Sequence, residues 1–197
     1  MNLSSYAELA VRLVNTAVPA PGEPDPLSSP QACSDALADC LAGPVTRRDL
    51  GVLCYLRDEF TAIFTAAATG TDQAAVKRLN ALLVQFPIQP EVVSHDDLRW
   101  HVHLAPHGSV ADRFAAGAAV GVALTISLVG VSRLGICAIA ACPRVFIDAS
   151  PGRSRRYCAE HAAARGNVST LRAQQSVSGD PAADADTRPG HATPAAS

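Results

Sequence analysis

Residues 134–161 read LGICAIAACPRVFIDASPGRSRRYCAEH, and the spacing of their cysteines decides how the chain is organised. Cys137 and Cys142 lie close together, and after a longer interval Cys158 is followed three positions on by His161. Two closely spaced pairs of thiolate and imidazole donors match the ligand pattern of a closed structural zinc site. We therefore predict that these four residues bind one Zn²⁺, which stabilises a segment too short to bury a core of its own.

The alternative for these four residues is a metal-free cluster of small buried side chains. The first ten residues, MNLSSYAELA, lack the basic and then apolar stretch of a secretory signal. We therefore expect a cytoplasmic protein, in which reduced cysteines are more often metal ligands or core thiols than disulfides. Cys33 and Cys40, which share one face of a predicted helix, are interpreted as core thiols.

The charge of the chain changes sign along its length. Residues 1–132 carry a net charge of −5, whereas residues 133–172 contain seven arginines and two acidic residues, a net charge of +5. A basic module on an acidic body indicates a polyanionic partner, because guanidinium groups bind phosphate oxygens through paired hydrogen bonds. The alternatives are a solvated surface, or ion pairs inside the module between Asp148 and Arg155 or Arg156. On the polyanion interpretation, the nucleic-acid contacts are Arg153, Arg155, Arg156, Arg165 and Arg172.

Apolar residues recur at helical spacing through most of residues 1–132, and 48% of the 197 residues are hydrophobic, which excludes a fully disordered chain. Helix-capping residues precede the apolar stripes, followed by Gly or Pro stops. The pattern predicts four helices, over residues 5–17, from 30 to the stop at 43–44, from 46 to 70 and from 71 to 87. The residues predicted to begin them are, in the same order, Ser5 with Glu8, Ser29, Thr46 with Asp49, and Thr71. Residues 88–106 alternate between apolar and polar types, which predicts a short β-hairpin.

Residues 114–132 are uncharged, and their length would just span a bilayer. Their high Ala and Gly content favours a helix buried by close packing, so we expect no membrane association, with a membrane span as the alternative. The fold class is then mainly α: a helical N-terminal domain over residues 1–132 with a small β-hairpin, and a small zinc-finger module over residues 133–172. Residues 173–197 have little apolar content and are predicted to be a disordered tail.

Two other groups of polar residues are weaker candidates for sites. His101 and His103 alternate on a predicted strand, where two imidazoles could bind a metal, although solvent exposure explains them as well. Four polar residues within the predicted helices could line a pocket for a small effector or satisfy buried backbone groups: Asn15, Thr16, Arg57 and Asn80. The sequence assigns no ligand to them. No nucleophile and base can be paired, so we expect no enzyme activity.

The cysteine segment resembles a known family, the CGNR zinc finger. The residues that carry this resemblance are Cys137, Cys142, Phe146, Asp148 and Ser150, followed by Arg155-Arg156-Tyr157-Cys158. The upstream chain resembles the ABATE domain, the usual N-terminal partner of that finger, at Leu13-Val14-Asn15-Thr16, Asp25-x-Leu27, the helix from Asp49 to Arg57, and Leu79-Asn80. The resemblance covers about residues 7–172. It implies a stress-induced transcription regulator whose finger binds DNA.

The sequence departs from the finger family at the fourth ligand, which is a Cys in the family signature. Aligning Arg165 with the signature arginine places Ala162 at that position. We favour His161, one residue earlier, as the replacement ligand. The alternatives are a site with three protein ligands or one that has lost its metal.

These observations predict a transcription regulator in which the finger binds DNA and the helical domain senses a small-molecule effector or forms a homodimer. The alternative is a non-catalytic ligand-binding or interaction protein whose finger is only a structural cap on the helical domain. The sequence does not identify the effector, the DNA site or the oligomeric state.

Overall fold

The computed structural model describes residues 3–94, 100–104 and 108–165, and most of these residues are helical. The predicted mainly α fold class is confirmed. Five α-helices are defined in the described part: α1 Leu3–Asn15, α2 Pro30–Ala36, α3 Arg47–Ala68, α4 Asp72–Gln85 and α5 Val110–Val129. Short 3₁₀ turns occupy Pro26–Ser28 and Val131–Arg133, and residues 159–165 are helical. The tail predicted over residues 173–197 lies outside the described residues.

Two antiparallel hairpins join the helices. β1 (Pro90–Val93) pairs with β2 (His101–Leu104), as the alternating pattern predicts. β3 (Leu134–Ile136) pairs with β4 (Val145–Ile147), with Gly135 opposite Phe146. The second hairpin is not predicted from the sequence, because strands of three residues are too short to show a periodic pattern.

Met1–His161 form one compact unit, and Ala162–Ser197 form a second, of which the structure describes residues 162–165. Within the first unit, α1 and α5 make the most extensive helix pair, and α3 packs on α1, α4 and α5. β3 packs on α3 and β4 on α1, so Leu134, Val145 and Ile147 are part of the same hydrophobic core as the helices. The zinc-finger segment therefore shares a core with the helical domain.

The helix starts agree with the sequence in two cases. Ser29 Oγ accepts a hydrogen bond from the Ala32 N–H at 3.1 Å. Thr46 and Asp49 form a reciprocal capping box at the start of α3, with Asp49 Oδ2 accepting from Thr46 N at 2.9 Å. In both cases side-chain oxygens satisfy backbone donors that have no partner within the helix.

Three predicted helix boundaries and one predicted cap bond are wrong. α1 begins at Leu3, before Ser5, and α2 ends at Ala36, because the chain leaves helical geometry at Leu37. Thr71 precedes α4 but makes no cap bond, since its hydroxyl donates to the Ala66 carbonyl at the end of α3. α5 begins at Val110 rather than at residue 114, because Ser109 and Asp112 form a second capping box. That box lies among charged residues, outside the apolar stretch on which the prediction was based.

The Ala- and Gly-rich helix α5 is long and apolar enough to cross a membrane, by length and composition alone. In this structure its first two thirds form the centre of the core, as the buried-helix interpretation predicts for this part of the segment. Its last residues, 127–129, are exposed.

Helices α1 and α5 cross at Gly121, where a side chain has no room. A Cβ added there would lie 2.2 Å from the backbone nitrogen of Ala7 and 2.3 Å from the carbonyl carbon of Tyr6. Backbone atoms cannot move aside as the end of a flexible side chain can. The glycine therefore sets the distance between the two helices that make the largest contact in the unit.

We expect Gly121→Ala to lower the free energy of unfolding by about 1–3 kcal/mol, since the added methyl group forces α1 and α5 apart. The matched control is Gly51→Ala within α3, where an added Cβ meets nothing within 4 Å. That change should stabilise the protein by about 0.5–1 kcal/mol, because alanine favours the helix. Urea denaturation measures both, and equal stability of the two variants would contradict the close helix crossing.

Candidate metal centre

Three short segments position the cysteines and histidine. β3 leads into Cys137, whose N–H donates to the Arg144 carbonyl at 2.9 Å and continues the β3–β4 ladder. A turn follows, closed by the Cys142 N–H donating to the Ile139 carbonyl at 2.9 Å. Cys158 lies directly before the helical residues 159–165, on which His161 is carried. The Ala138 N–H donates to the Arg156 carbonyl at 2.9 Å and joins the cysteine turn to the segment before Cys158.

All four predicted ligands are brought together. The donor atoms of Cys137, Cys142, Cys158 and His161 lie within 4.8 Å of one another. His161 Nδ1 is 3.4 Å from the sulfur atoms of both Cys137 and Cys158. Zn–S and Zn–N bonds of about 2.3 and 2.0 Å separate the sulfur and nitrogen donors of a tetrahedral zinc by about 3.5 Å. Three thiols and one imidazole at these separations form a cluster suited to holding a zinc ion.

The electrostatics of the cluster favour the ligand form of Cys137. Burial alone would raise the pKa of its thiol, but hydrogen bonds from the backbone N–H groups of Ile139 and Cys158, and from His161, lower that pKa to about 7. The pKa of the Cys142 thiol is raised by burial and by the neighbouring Cys137 and Cys158 sulfurs. Thiolate is the form that binds zinc, so metal binding displaces protons from this site.

The loop from 148 to 157 is organised by the buried carboxylate of Asp148. Its Oδ1 accepts from the Ser150 N–H at 2.8 Å and from the Ser150 hydroxyl at 2.6 Å, and its Oδ2 accepts from the Arg155 N–H at 3.2 Å. Burial alone would raise the pKa of Asp148, but these hydrogen bonds and the charge of Arg133 hold it below its usual range. Asp148 therefore accepts from backbone amides of its own loop, and the arginine with which it forms an ion pair is Arg133.

Two arginines of the module are directed into it. Arg155 donates from Nη1 to the Ile147 carbonyl and from Nε to the Tyr157 carbonyl, both at 3.1 Å. Its guanidinium lies 5.1 Å from the centre of the Phe146 ring, which in turn covers Gly135 so closely that a Cβ there would approach the ring within 2.6 Å. Arg133 donates to the carbonyls of Asp148 and Ser150. These guanidinium groups hold the loop in place.

The finger is also joined to the helical domain by polar side chains. The Asn15 amide, at the end of α1, accepts from the Val145 N–H at 2.8 Å and donates to the Val145 carbonyl at 3.1 Å, so it occupies the free edge of β4. Arg144 donates to the Val18 carbonyl at 2.8 Å and forms an ion pair with Glu160 at 2.9 Å. The contacts of Asn15 with Val145 and of Arg144 with Val18 each connect residues more than 120 positions apart.

The other predicted phosphate contacts lie in different surroundings. Arg153 and Arg156 are exposed, and within the described part of the chain their side chains have no hydrogen-bond or ion-pair partner. Arg165 is exposed in the helical residues 159–165. Arg172 lies outside the described residues.

The two weaker candidate sites acquire no ligand from the structure. Asn15 is used by β4, and Arg57 forms a bidentate ion pair with Asp25 at 2.8 and 2.9 Å, with Thr16 beside it. These residues hold the loop after α1 against α3. Asn80 is exposed on α4. His101 and His103 lie in β2 as predicted, opposite Val93 and Glu91, and their side chains lie outside the described part.

Sequence reasoning missed the structural roles of Arg133 and Arg144 around the metal centre, whereas for Asn15 it offered the satisfaction of backbone groups as one of two interpretations. Arg133 and Arg144 are visible only as part of the +5 charge, and charge does not show which guanidinium is turned inward. Asn15 is the last residue of α1, where a polar side chain is common, so its position does not point to β4. Its partner is 130 positions away, so the sequence alone cannot supply it.

Comparisons with protein families agree with the two parts of the chain. Residues 7–129 match the model of ABATE, described as "Putative stress-induced transcription regulator". Residues 133–175 match the model of the CGNR zinc finger. The four donor residues therefore have the chemistry of a zinc site and lie in a segment that matches a zinc-finger family. No curated protein matches the chain. The match over residues 7–129 covers more than half of the chain, which therefore belongs to the ABATE family and carries a CGNR zinc finger after its helical domain.

Proposed function

We propose that this protein is a cytoplasmic transcription regulator that binds DNA through the exposed arginines of its zinc finger. The observation that carries the proposal is the contrast between inward and outward arginines. Arg133 and Arg155 stabilise the loop of the finger, whereas Arg153 and Arg156 are exposed without a side-chain partner in the described part. Exposed guanidinium groups of this kind bind phosphate oxygens, and the family description points to transcription.

The helical domain serves as the regulatory part in this proposal, either by sensing an effector or by forming a homodimer. No enzymatic step and no membrane association are included. DNA binding by one finger is expected to be weak and of low sequence specificity, because phosphate contacts position a protein without reading bases. The acidic body, at −5 over residues 1–132, opposes binding elsewhere on the molecule.

A second function is favoured by a separate observation, the side-chain hydrogen bonds between the finger and the helical domain. The Asn15 side chain binds the backbone of Val145 in β4, and Arg144 donates to the Val18 carbonyl, so the finger is held against the helical domain. A finger fixed in this way could be a structural cap on a protein-interaction or ligand-binding domain. Nucleic-acid binding separates the two functions.

We expect the zinc-loaded protein to bind duplex DNA with an affinity that falls by about 0.9 log units per phosphate contact for each tenfold rise in salt. The variant Arg153→Asn/Arg156→Gln/Arg165→Gln should bind weakly at low salt, and its salt slope should be smaller by about three. Asparagine is chosen at residue 153 because its φ is 52°, a conformation that asparagine tolerates. Fluorescence anisotropy across a salt series measures both quantities.

The control is Arg47→Asn/Arg48→Gln, which removes two exposed arginines from the start of α3. It should bind DNA as the wild-type protein does. If the wild-type protein fails to bind DNA at low salt, or the triple variant binds equally well, the finger acts as a structural cap.

A further inference from the structure

A cleft of about 420 Å³ lies between the end of α3 and the finger. Four arginines line it, Arg133, Arg153, Arg155 and Arg156, together with a single acidic residue, Asp148. The Asp148 carboxylate is already used by Ser150 and by the Arg155 backbone. The walls of the cleft therefore carry an excess of positive charge that no side chain lining it neutralises.

The four arginines divide into a fixed pair and an available pair. Arg133 and Arg155 are held by backbone carbonyls, so their position in the wall is set by the fold. Arg153 and Arg156 are exposed and without a side-chain partner among the described residues. Two unpaired guanidinium forks on one cleft suit a doubly charged phosphate group, which accepts paired hydrogen bonds from each.

One nitrogen of the fixed pair has no partner in the described part of the chain. The Nε atom of Arg133 is buried and has no hydrogen-bond partner among these residues. Because that atom is enclosed by protein, the contacts available to a ligand in the cleft come from Arg153 and Arg156.

Apolar side chains form another part of the lining. They are Ala67 and Ala68 at the end of α3, Ile136 of β3, and Phe146, over which the Arg155 guanidinium lies. The orphan carbonyls at the end of α3 are already occupied, since the hydroxyl of Thr71 donates to the Ala66 carbonyl and the N–H of Gly70 donates to the Ala67 carbonyl. Apolar and charged side chains in the lining and a volume typical of small-molecule sites together favour an organic anion over a bare inorganic ion.

We infer that this cleft binds a small organic phosphate monoester. The phosphate is held by Arg153 and Arg156, and the organic body lies against the apolar part of the lining. The inference goes beyond the proposed function, because it concerns a small molecule and does not require DNA binding. A phosphate monoester bound here would occupy two of the arginines proposed to contact DNA, which gives the cleft a regulatory role if both activities exist.

Isothermal titration calorimetry of the zinc-loaded, full-length protein with adenosine monophosphate tests the inference, with adenosine and inorganic phosphate as the two partial ligands. We expect saturable binding of adenosine monophosphate, and weaker binding of either partial ligand by about tenfold or more, since each lacks one half of the recognised group. The variant Arg153→Asn/Arg156→Gln should weaken adenosine monophosphate binding by about tenfold or more. Arg47→Asn/Arg48→Gln, with the same change in charge outside the cleft, should bind as the wild type does.

Three results would overturn the inference: no saturable binding of adenosine monophosphate at low salt, equal binding of adenosine monophosphate and adenosine, or unchanged binding by the cleft variant. Binding of inorganic phosphate as tight as that of the nucleotide would also overturn it, because the apolar part of the lining would then contribute nothing. The titration contains no DNA, so its outcome is independent of the anisotropy experiment.

Discussion

Cys158→Ala is expected to abolish stoichiometric zinc binding and to lower the thermal stability of the whole Met1–His161 unit. The change removes one of four converging donors, the sulfur 3.4 Å from His161 Nδ1. Bound zinc stabilises the folded state in proportion to its occupancy, by about 4 kcal/mol when free zinc is a thousand times its Kd. The effect reaches beyond the finger because Leu134, Val145 and Ile147 belong to the common core.

Metal content by elemental analysis and thermal unfolding followed by circular dichroism measure the two effects. We expect one zinc per wild-type chain, much less in the variant, and a fall in Tm of roughly 10 °C, from about 2–4 °C per kcal/mol for a chain of this size. The matched control is Cys54→Ala, which removes a half-buried cysteine of α3 outside the cluster. It should keep its zinc. A wild-type protein without zinc would show that the cluster is a set of core thiols, and a Cys158→Ala protein that keeps its zinc would show that Cys158 is not a ligand.

The identity of the fourth ligand is tested by a second pair of variants. His161→Ala should weaken zinc binding, since Nδ1 is the nitrogen donor of the cluster. Adding Ala162→Cys to that variant should restore binding, because the family resemblance places its own cysteine ligand at this position. Zinc affinity measured by competition with a chromogenic chelator distinguishes the outcomes. If His161→Ala binds zinc as the wild type does, three cysteines alone hold the metal.

The sequence predicts the metal centre well because its information is local. Four donors in two closely spaced pairs need only one hairpin and one helical turn to converge, and the structure supplies both. The start of α3 at Thr46, with Asp49 in its first turn, is predictable for the same reason, since the two residues lie within four positions and form a capping box in the structure. Thr71 shows the limit of such local rules: its type and position suit a cap, but its hydroxyl bonds to the preceding helix.

The parts that could not be predicted depend on contacts between distant residues. The free edge of β4 is satisfied by Asn15, 130 positions away, and no local pattern connects them. The arginines show the same limit. Seven of them predict a basic surface, yet Arg155 is held under the loop by the Ile147 and Tyr157 carbonyls while Arg153 remains exposed. Which guanidinium turns inward is decided by carbonyl groups that become available only when the loop has formed.

A second large effect is expected at Asp49, a buried carboxylate that joins the starts of two helices. Its Oδ2 accepts from the Thr46 N–H at 2.9 Å and from the Thr46 hydroxyl at 2.6 Å, at the start of α3. Its Oδ1 accepts from the Ala111 N–H of α5 at 3.1 Å. Asp49→Ala therefore removes a helix cap and leaves a buried N–H group on another helix without an acceptor. Together these losses should lower the free energy of unfolding by about 3 kcal/mol.

Asp112→Ala is the matched control, because Asp112 forms the equivalent capping box with Ser109 at the start of a single helix, α5. Its loss should cost about 1 kcal/mol. Urea denaturation of both variants gives the difference that belongs to the bridge between α3 and α5. Equal destabilisation by the two changes would show that the bond to Ala111 contributes nothing.

The same carboxylate should make the protein sensitive to acid. Burial alone would raise the pKa of Asp49, but hydrogen bonds from Ser109, Thr46 and Ala111 hold it well below its ordinary value. Between the two pKa values the unfolded chain binds the proton that the folded chain excludes, so stability falls as the pH falls below about 4, by up to about 1.4 kcal/mol per pH unit. The contribution is complete above about pH 5, one unit above the unfolded pKa.

Asp49→Asn isolates this contribution, because asparagine does not titrate and keeps one acceptor oxygen for the bridge. Other effects of acid on stability are the same in the wild type and the variant. They are the protonation of Asp25 and Asp148, whose pKa values are also lowered, and the loss of zinc to protons. The difference in unfolding free energy between wild type and variant, measured in urea from pH 6 to pH 3, should therefore stay constant above about pH 5 and shrink below about pH 4. A difference that stays constant over the whole range would mean that the Asp49 carboxyl titrates alike in the folded and unfolded chains, and that its bonds to two helices do not favour the ionised form.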